Sequence, residues 1–297
     1  MTLRRRLACI AAALVASVCA RPAPGKAADA ASLLYERSLM SAADARCKLF
    51  DAAIAGALAS AGRQARGAAL RAGADARALD AVEASARARA AATPCAAPDL
   101  AIAAGRVRAA FAGWSRLTTM SFPGRFASWR ADRTAGRGGA PGWRLSQAAR
   151  TPSGPVLFGL VGDGRGGVSL AAVAAWPGAL AAATARLVMR DPAAAAEPYL
   201  DPRRADLSAQ AAPRAVSRAF LASDREAAAP GVLPAGAPTG ALFRFPAAAT
   251  AAIEALDPRE AVTLELAYPT RNGEQVQDVL LEVGDFAAAR AFLAAGH

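Results

Sequence analysis

Few residues in this sequence belong to the types that most enzymes use for nucleophilic or acid–base chemistry. The chain has 297 residues and one histidine, His297. Ser-His-Asp triads, Cys-His pairs and imidazole metal sites are therefore excluded. The sequence predicts no catalytic, cofactor-binding or metal-ligating residues, and no cofactor. Carboxylates remain as a rival possibility, because two acids can hydrolyse glycosidic bonds without histidine.

Several of the acids fall in a predicted β-hairpin. Alternating apolar residues over 261–268 and 276–283 flank Asn272-Gly273, which is a favourable pair for a two-residue turn. This turn would pair Leu266 with Val279 and place six apolar side chains on one face, those of Val262, Leu264, Leu266, Val279, Leu281 and Val283. The predicted hairpin therefore has one buried and one polar face.

Glu265 and Glu282 are the acids that a hydrolase would use. In the predicted register Glu265 faces Leu280 and lies diagonal to Asp278 and Glu282, at about 7–8 Å between Cβ atoms. That separation is compatible with a glycosidase pair. Acids on the polar face of a half-buried hairpin are ordinarily solvated, however. The pattern therefore favours solvated surface carboxylates over a catalytic pair.

A glycine-rich stretch, Gly162-Asp-Gly-Arg-Gly-Gly167, matches the spacing of a dinucleotide-binding loop. Such a loop needs a helix directly after it, and Pro177-Gly178 interrupts the apolar run that follows. The stretch is therefore interpreted as a hairpin turn.

Basic and aromatic residues coincide over 121–153, which carries six basic groups and one acidic group. Arginine and tryptophan together can bind anionic or sugar ligands through charged hydrogen bonds and ring stacking. The possible ligand-binding residues are Trp129, Arg130, Arg133, Trp143 and Arg144. Glycine and proline pairs in this segment predict a basic, aromatic hinge. The alternative is that the aromatic rings fill a joint between two halves while the arginines are solvated.

Cys47 and Cys95 lie at similar distances on either side of Gly73. A helical hairpin that turns at Gly73 would bring them to the same end. In an oxidising compartment they would then form a disulfide, and without CxxC spacing we expect a structural role for it.

The N-terminal half has the composition of a helical domain, which we place at 28–120. Ala, Arg and Leu dominate, and apolar residues recur at helical spacing. We expect three helices: one from a capping-box-like start at Ser41, one resuming at Leu79 and one from Asp99. Short turns would pack them antiparallel.

The C-terminal half, 154–297, has the composition of a β-rich domain. Short Val, Leu and Phe runs separated by Gly and Pro predict strands at 156–161, 167–174, 186–189, 215–221 and 241–245, in addition to the hairpin. Two late helices are expected at 246–256 and 286–295. The predicted fold class is α+β: a disulfide-tied three-helix unit followed by a mainly antiparallel, sandwich-like β module.

Part of this half resembles the exported invasion-associated locus B family. The resemblance covers at most residues 150–295 and lies in Phe243-Arg-Phe-Pro246, the Ala-rich helix after it, the hairpin and the stretch from Gly284 to Leu293. It implies a periplasmic β-rich module whose biochemical role is poorly defined.

The first 27 residues are typical of a signal peptide, with Arg4, Arg5 and Arg6 before an apolar run that ends at Ala20. Cleavage is expected after Ala20, Ala27 or Ala30, and lipidation of Cys19 stays open. Removing residues 1–27 would lower the formal charge from +11 to +6. The predicted location is periplasmic or secreted, with no transmembrane segment after signal removal.

Together these features predict a periplasmic, non-enzymatic binding or envelope-assembly protein. Its ligand would be an anionic or glycan envelope component, or its partner another periplasmic protein, and the compartment argues against nucleic acid. The alternatives are a carboxylate-dependent hydrolase of envelope polymers and a protein inhibitor or chaperone that uses the helical domain.

Overall fold

A computed structural model describes residues 24–182, 184–201, 204 and 206–295. The predicted signal sequence lies almost wholly outside this range, as do the Ala20 cleavage site and Cys19. The described chain begins with four helices: α1 (Pro24–Cys47), α2 (Ala52–Arg71), α3 (Ala76–Ala92) and α4 (Pro98–Trp114). The sequence predicts three helices over 28–120, whereas the structure has four, because the first predicted helix is divided between α1 and α2.

The expected start at Ser41 is wrong, because α1 runs through it to Cys47. Lys48 then takes a positive φ of 54° and ends the helix. The next helix is capped by Asp51, whose carboxylate accepts a hydrogen bond from the backbone N–H of Ile54 at 2.8 Å. The apolar stripe assigned to one helix is therefore divided between α1 and α2.

The predicted hairpin at Gly73 and the predicted disulfide are both confirmed. Gly73 adopts a φ of 92° between α2 and α3, a conformation that favours glycine. Asp75 caps α3 by accepting a hydrogen bond from the backbone N–H of Ala78. Cys47 and Cys95 are bonded, with 5.6 Å between their Cα atoms. The bond joins the end of α1 to the segment just before α4.

The strands that follow α4 in the described chain form two antiparallel sheets. The seven-stranded sheet has the order β1-β2-β3-β4-β5-β9-β8, and the four-stranded sheet has the order β11-β10-β6-β7. The strands are β1 (Thr119–Pro123), β2 (Ser128–Asp132), β3 (Gly142–Thr151), β4 (Gly154–Gly162), β5 (Val168–Ala174), β6 (Thr184–Arg190), β7 (Ser217–Leu221), β8 (Asp224–Ala227), β9 (Ala241–Phe245), β10 (Ala261–Thr270) and β11 (Gly273–Glu282). All five strand segments predicted ahead of the hairpin are present, as β4, β5, β6, β7 and β9.

One apolar core joins the inner faces of the two sheets. Phe158 and Phe243 of the larger sheet and Leu264 of the smaller one are completely or almost completely buried in it. Each such side chain contributes about 1.5–3 kcal/mol through burial. The two late helices, α5 (Ala247–Glu254) and α6 (Phe286–Ala294), contribute to the same core. The predicted α+β class and the sandwich-like packing are thus confirmed.

The segment predicted as a hinge, 121–153, is mostly strand. It contributes most of β1 and all of β2 and β3 to the seven-stranded sheet. Its glycines and prolines fall in the connections, while residues such as Trp129 and Leu145 point into the core. This segment is therefore part of the sandwich.

The predicted hairpin exists, but its register differs by two residues. Thr270 pairs with Gly273, so Arg271 and Asn272 form the turn, and Leu264 lies opposite Val279. A shift of two residues keeps every side chain on the same face. The six apolar residues accordingly remain buried as expected.

Helix α2 connects the helical part to the sandwich by packing against α6. Arg71 donates two hydrogen bonds of 2.7 Å to the Asp285 carboxylate, and the Ser60 hydroxyl donates one to the carbonyl of Ala288. Burial raises the pKa of Asp285, although Arg71 acts to lower it. Gly67 of α2 packs directly against the Asp285 carboxylate. A Cβ atom at this position would lie 2.4 Å from a carboxylate oxygen, which is closer than side chains can approach.

Candidate functional site

Trp129, proposed as a stacking residue, is a core residue with 1% of its surface exposed. Its indole N–H donates a 2.9 Å hydrogen bond to the carbonyl of Val283. Its ring meets the Phe286 ring edge to face, with 5.1 Å between centroids. A ligand cannot reach this ring in the folded protein, so the expected stacking role is wrong.

Arg133 is also buried, and its guanidinium is used within the fold. It donates hydrogen bonds to the carbonyls of Phe292, Leu117 and Ser115 at 2.9–3.1 Å. Its central carbon lies 3.7 Å from the centroid of the Phe292 ring. Burial lowers the pKa of Arg133. The residue fastens the end of α4 to α6, so it is not available to a ligand.

The other three predicted ligand-binding residues are not gathered into one exposed site. Trp143 is half-buried on the outer face of the larger sheet, where its N–H donates to the carbonyl of Val232 at 2.8 Å. Arg144 is buried, its Nε has no hydrogen-bond partner among the described residues, and burial lowers its pKa. Arg130 is exposed. Because side chains alternate along β2, Trp129 and Arg130 point to opposite faces of the sheet. The Trp129 ring and the Arg130 guanidinium therefore cannot contact the same ligand.

The two carboxylates of the hydrolase hypothesis are each 1% exposed. Glu265 pairs with Arg186 at 2.9 Å and also with Arg214, and in the observed register it lies opposite Asp278. Glu282 accepts hydrogen bonds of 2.7–2.8 Å from three successive backbone N–H groups, those of residues 125–127. The expected solvated positions are therefore wrong, since both acids stabilise the fold.

We expect the substitution Glu282→Gln to lower the free energy of unfolding by about 2–3 kcal/mol. An amide offers one oxygen to the three N–H donors and turns an NH₂ group toward them, and hydrogen bonds to charged groups contribute about 1.5–3 kcal/mol. Asp278→Asn, at an exposed position on the same strand, is the control and should change stability by less than about 0.5 kcal/mol. Equal denaturation midpoints for parent and Glu282→Gln would show that the carboxylate is not structural.

The stretch Gly162–Gly167 is the tight connection between β4 and β5, as interpreted from the sequence. The Asp163 carboxylate accepts hydrogen bonds from the N–H groups of Arg165 and Gly167 at 2.8 and 2.9 Å. A strand follows it where a dinucleotide loop would need a helix. This turn offers no phosphate site.

An apolar cavity lies in a groove between helices α1, α2 and α4. Its volume is about 600 Å³, which is within the range of small-molecule sites. We call it the α1–α2–α4 groove. Its larger apolar lining residues are Leu33, Leu39 and Met40 of α1, Ile54 and Leu58 of α2, and Val107, Phe111 and Trp114 of α4.

The groove exists because α4 is held mainly at its two ends. The Cys47–Cys95 bond fixes the chain just before α4, and at the other end Trp114 meets the Phe292 ring edge to face at 5.1 Å. Only Leu100 and Ala104 of α4 are buried. Between these anchors the helix leaves a gap against α1 and α2. Apolar surface such as Leu33, 44% exposed, therefore faces solvent along this gap.

The charged residues that line the groove are Arg37, Arg106 and Glu36. Arg37 donates a 2.6 Å hydrogen bond to the carbonyl of Ala61, and its pKa is lowered by burial, which outweighs the neighbouring Glu36. Arg106 is exposed, and within the described part of the chain it has no hydrogen-bond or ion-pair partner. The lining thus has one more positive than negative charge.

The sequence analysis did not identify this groove. No group of three or more His, Cys, Asp or Glu residues in the described ranges could hold a metal ion. None of the described helices combines the length and apolarity needed to cross a membrane.

No family model, curated protein or solved structure matches this chain significantly.

Proposed function

We propose that this protein is a non-enzymatic binding protein that acts outside the cytoplasm and holds an apolar or amphiphilic envelope component in the α1–α2–α4 groove. The observation that carries the proposal is the groove itself: a cavity of about 600 Å³, with mostly apolar walls, left open between packed helices. Ligand sites are typically concave, largely apolar and preformed. The proposed ligand site therefore lies in the helical part of the chain and not in the segment 121–153, where the sequence analysis predicts it.

The location outside the cytoplasm is supported by two features. The first residues of the chain have the charge and hydropathy pattern of an export signal. The Cys47–Cys95 bond is of a kind that persists in oxidising compartments. Periplasmic or secreted location and the resemblance to the invasion-associated locus B family stay predictions.

The groove also bears on the rival functions. A hydrolase through Glu265 and Glu282 loses support, because both carboxylates are buried in structural hydrogen bonds. A glycan site formed by Trp129 loses support for the same reason. An inhibitor or chaperone that uses the helical part would place an apolar protein segment in this groove, and it remains the main rival.

The proposal predicts that Ala110→Trp weakens the binding of decanoate, a ten-carbon fatty acid anion, at least tenfold. Ala110 is exposed and lines the groove, so a bulky ring there would occupy ligand space without disturbing the core. Ala109→Trp is the matched control, since Ala109 is exposed on the same helix but outside the groove lining. Isothermal titration calorimetry measures both variants and the parent.

The expected result is saturable binding of one decanoate to the parent and to Ala109→Trp, with at least a tenfold loss in Ala110→Trp. Equal loss in the two tryptophan variants would place the site elsewhere. Absence of binding to the parent would overturn the proposed function for amphiphiles.

A further inference from the structure

We infer that the ligand of the α1–α2–α4 groove is a single-chain anionic amphiphile, whose acyl or alkyl chain lies between the helices and whose anionic head is held at Arg106 and Arg37. This inference rests on the proposed function and names its ligand class. The shared chemistry is a carboxylate, phosphate or sulfate head on one hydrocarbon chain.

The walls of the groove argue for a hydrocarbon chain. The larger apolar lining residues include Met40, Ile54, Val107, Phe111 and Trp114, and the small lining residues are alanines. Alanine offers neither donors nor acceptors for the hydroxyl groups of a sugar. Transfer of a chain from water to such walls is favourable by about 0.8 kcal/mol per buried CH₂ group. The groove is thus suited to an unbranched apolar chain.

The charges at the groove argue for an anionic head. Arg106 has no partner of its own in the described part of the chain, although it lies beside apolar surface. Arg37 is half-buried, and the one hydrogen bond shown for its guanidinium, to the Ala61 carbonyl, is to a neutral group. An anion would supply the charge-assisted hydrogen bonds that these donors lack. A cationic head would meet two guanidinium groups against one carboxylate.

Glu36 affects which of the two arginines attracts the anionic head more strongly. It lines the same groove, is exposed, and acts on Arg37 electrostatically. It therefore offsets part of the positive charge of Arg37 and leaves Arg106 as the stronger attractant for an anion. The affinity for the head should fall as salt is added, because Arg106 is exposed and its field is screened.

The test compares decanoate with decanol, an uncharged amphiphile of the same chain length, in the parent and in Arg106→Gln. Dissociation constants come from isothermal titration calorimetry at low salt. Glutamine keeps a comparable stem and removes the charge. Arg77→Gln is the matched control, because Arg77 is an exposed arginine on α3 that does not line the groove and has no partner among the residues that the structure describes.

We expect Arg106→Gln to weaken decanoate binding about fivefold, the change that corresponds to about 1 kcal/mol for an exposed charge pair. Decanol binding should be unchanged in this variant, and Arg77→Gln should alter neither ligand. The difference between the two ligands isolates the role of the charge from the packing of the Arg106 stem.

Three results would overturn the inference. If Arg106→Gln weakens both ligands equally, or leaves decanoate binding unchanged, the head is not recognised by charge, although the groove as a binding site stands. If the parent binds neither ligand, the proposed function for amphiphiles falls as well.

Discussion

A variant with serine at both Cys47 and Cys95 should be less stable than the parent by about 4 kcal/mol. The bond spans a sequence separation of 48 residues, and loop-closure entropy for a loop of that size gives this magnitude. Residual structure in the unfolded chain would reduce the loss. The effect is large because a domain is ordinarily stable by only about 5–15 kcal/mol.

Urea unfolding under non-reducing conditions measures this loss. Reducing the parent with dithiothreitol should produce a similar shift of the midpoint, whereas the serine variant should not respond to the reductant. An unchanged midpoint in the serine variant would contradict the predicted contribution of the bond. We also expect weaker decanoate binding in both forms, because the bond is the anchor directly before α4.

Trp129→Ala should lower the free energy of unfolding by about 3–5 kcal/mol. The ring is 1% exposed between the sheet and α6, and truncation of a buried tryptophan removes its apolar contacts and leaves a cavity. The Val283 carbonyl would also lose its hydrogen-bond donor. The cavity would lie in the apolar core that the two sheets share.

Two controls separate the contributions at Trp129. Trp129→Phe keeps an aromatic ring but removes the indole N–H, so we expect a smaller loss than for alanine. Arg130→Ala, at the exposed neighbouring position, should change stability by less than about 0.5 kcal/mol. A stable Trp129→Ala protein that had lost ligand affinity would restore the role in ligand stacking first expected for this residue.

The disulfide and the helical hairpin could be predicted from the sequence because their determinants are local. Gly73 supplies a turn with positive φ. The two cysteines lie at similar sequence distances on either side of it, so the helical hairpin brings them together. The division between α1 and α2 was missed, since a non-glycine residue, Lys48, makes the break. Asp51 was the available signal, as a capping residue with an apolar run behind it.

The hairpin register could not be fixed by alternation alone. Registers that differ by two residues bury the same side chains, and only the turn distinguishes them. The Asn272-Gly273 pair favoured one turn, while the chain turns at Arg271 and Asn272 and places Gly273, with a φ of 119°, in the strand. The side chains on the buried face were therefore right and the opposing residues wrong.

The segment 121–153 was misinterpreted because burial of arginine is a tertiary property. Arg133 has the sequence character of a surface residue, yet carbonyls from the end of α4 and from Phe292 in α6 satisfy its guanidinium. The groove was missed for a related reason. It arises where α4 lies away from α1 and α2 between two anchors, and such a gap leaves no periodic signal in the sequence.

Photoaffinity labelling with a diazirine derivative of decanoate, followed by peptide mapping, tests most directly whether the α1–α2–α4 groove is the ligand site. The account predicts labels confined to peptides of α1, α2 and α4, in competition with unlabelled decanoate, and lost in Ala110→Trp but retained in Ala109→Trp. Competable labels concentrated instead on the seven-stranded sheet, near Arg130 and Trp143, would contradict it.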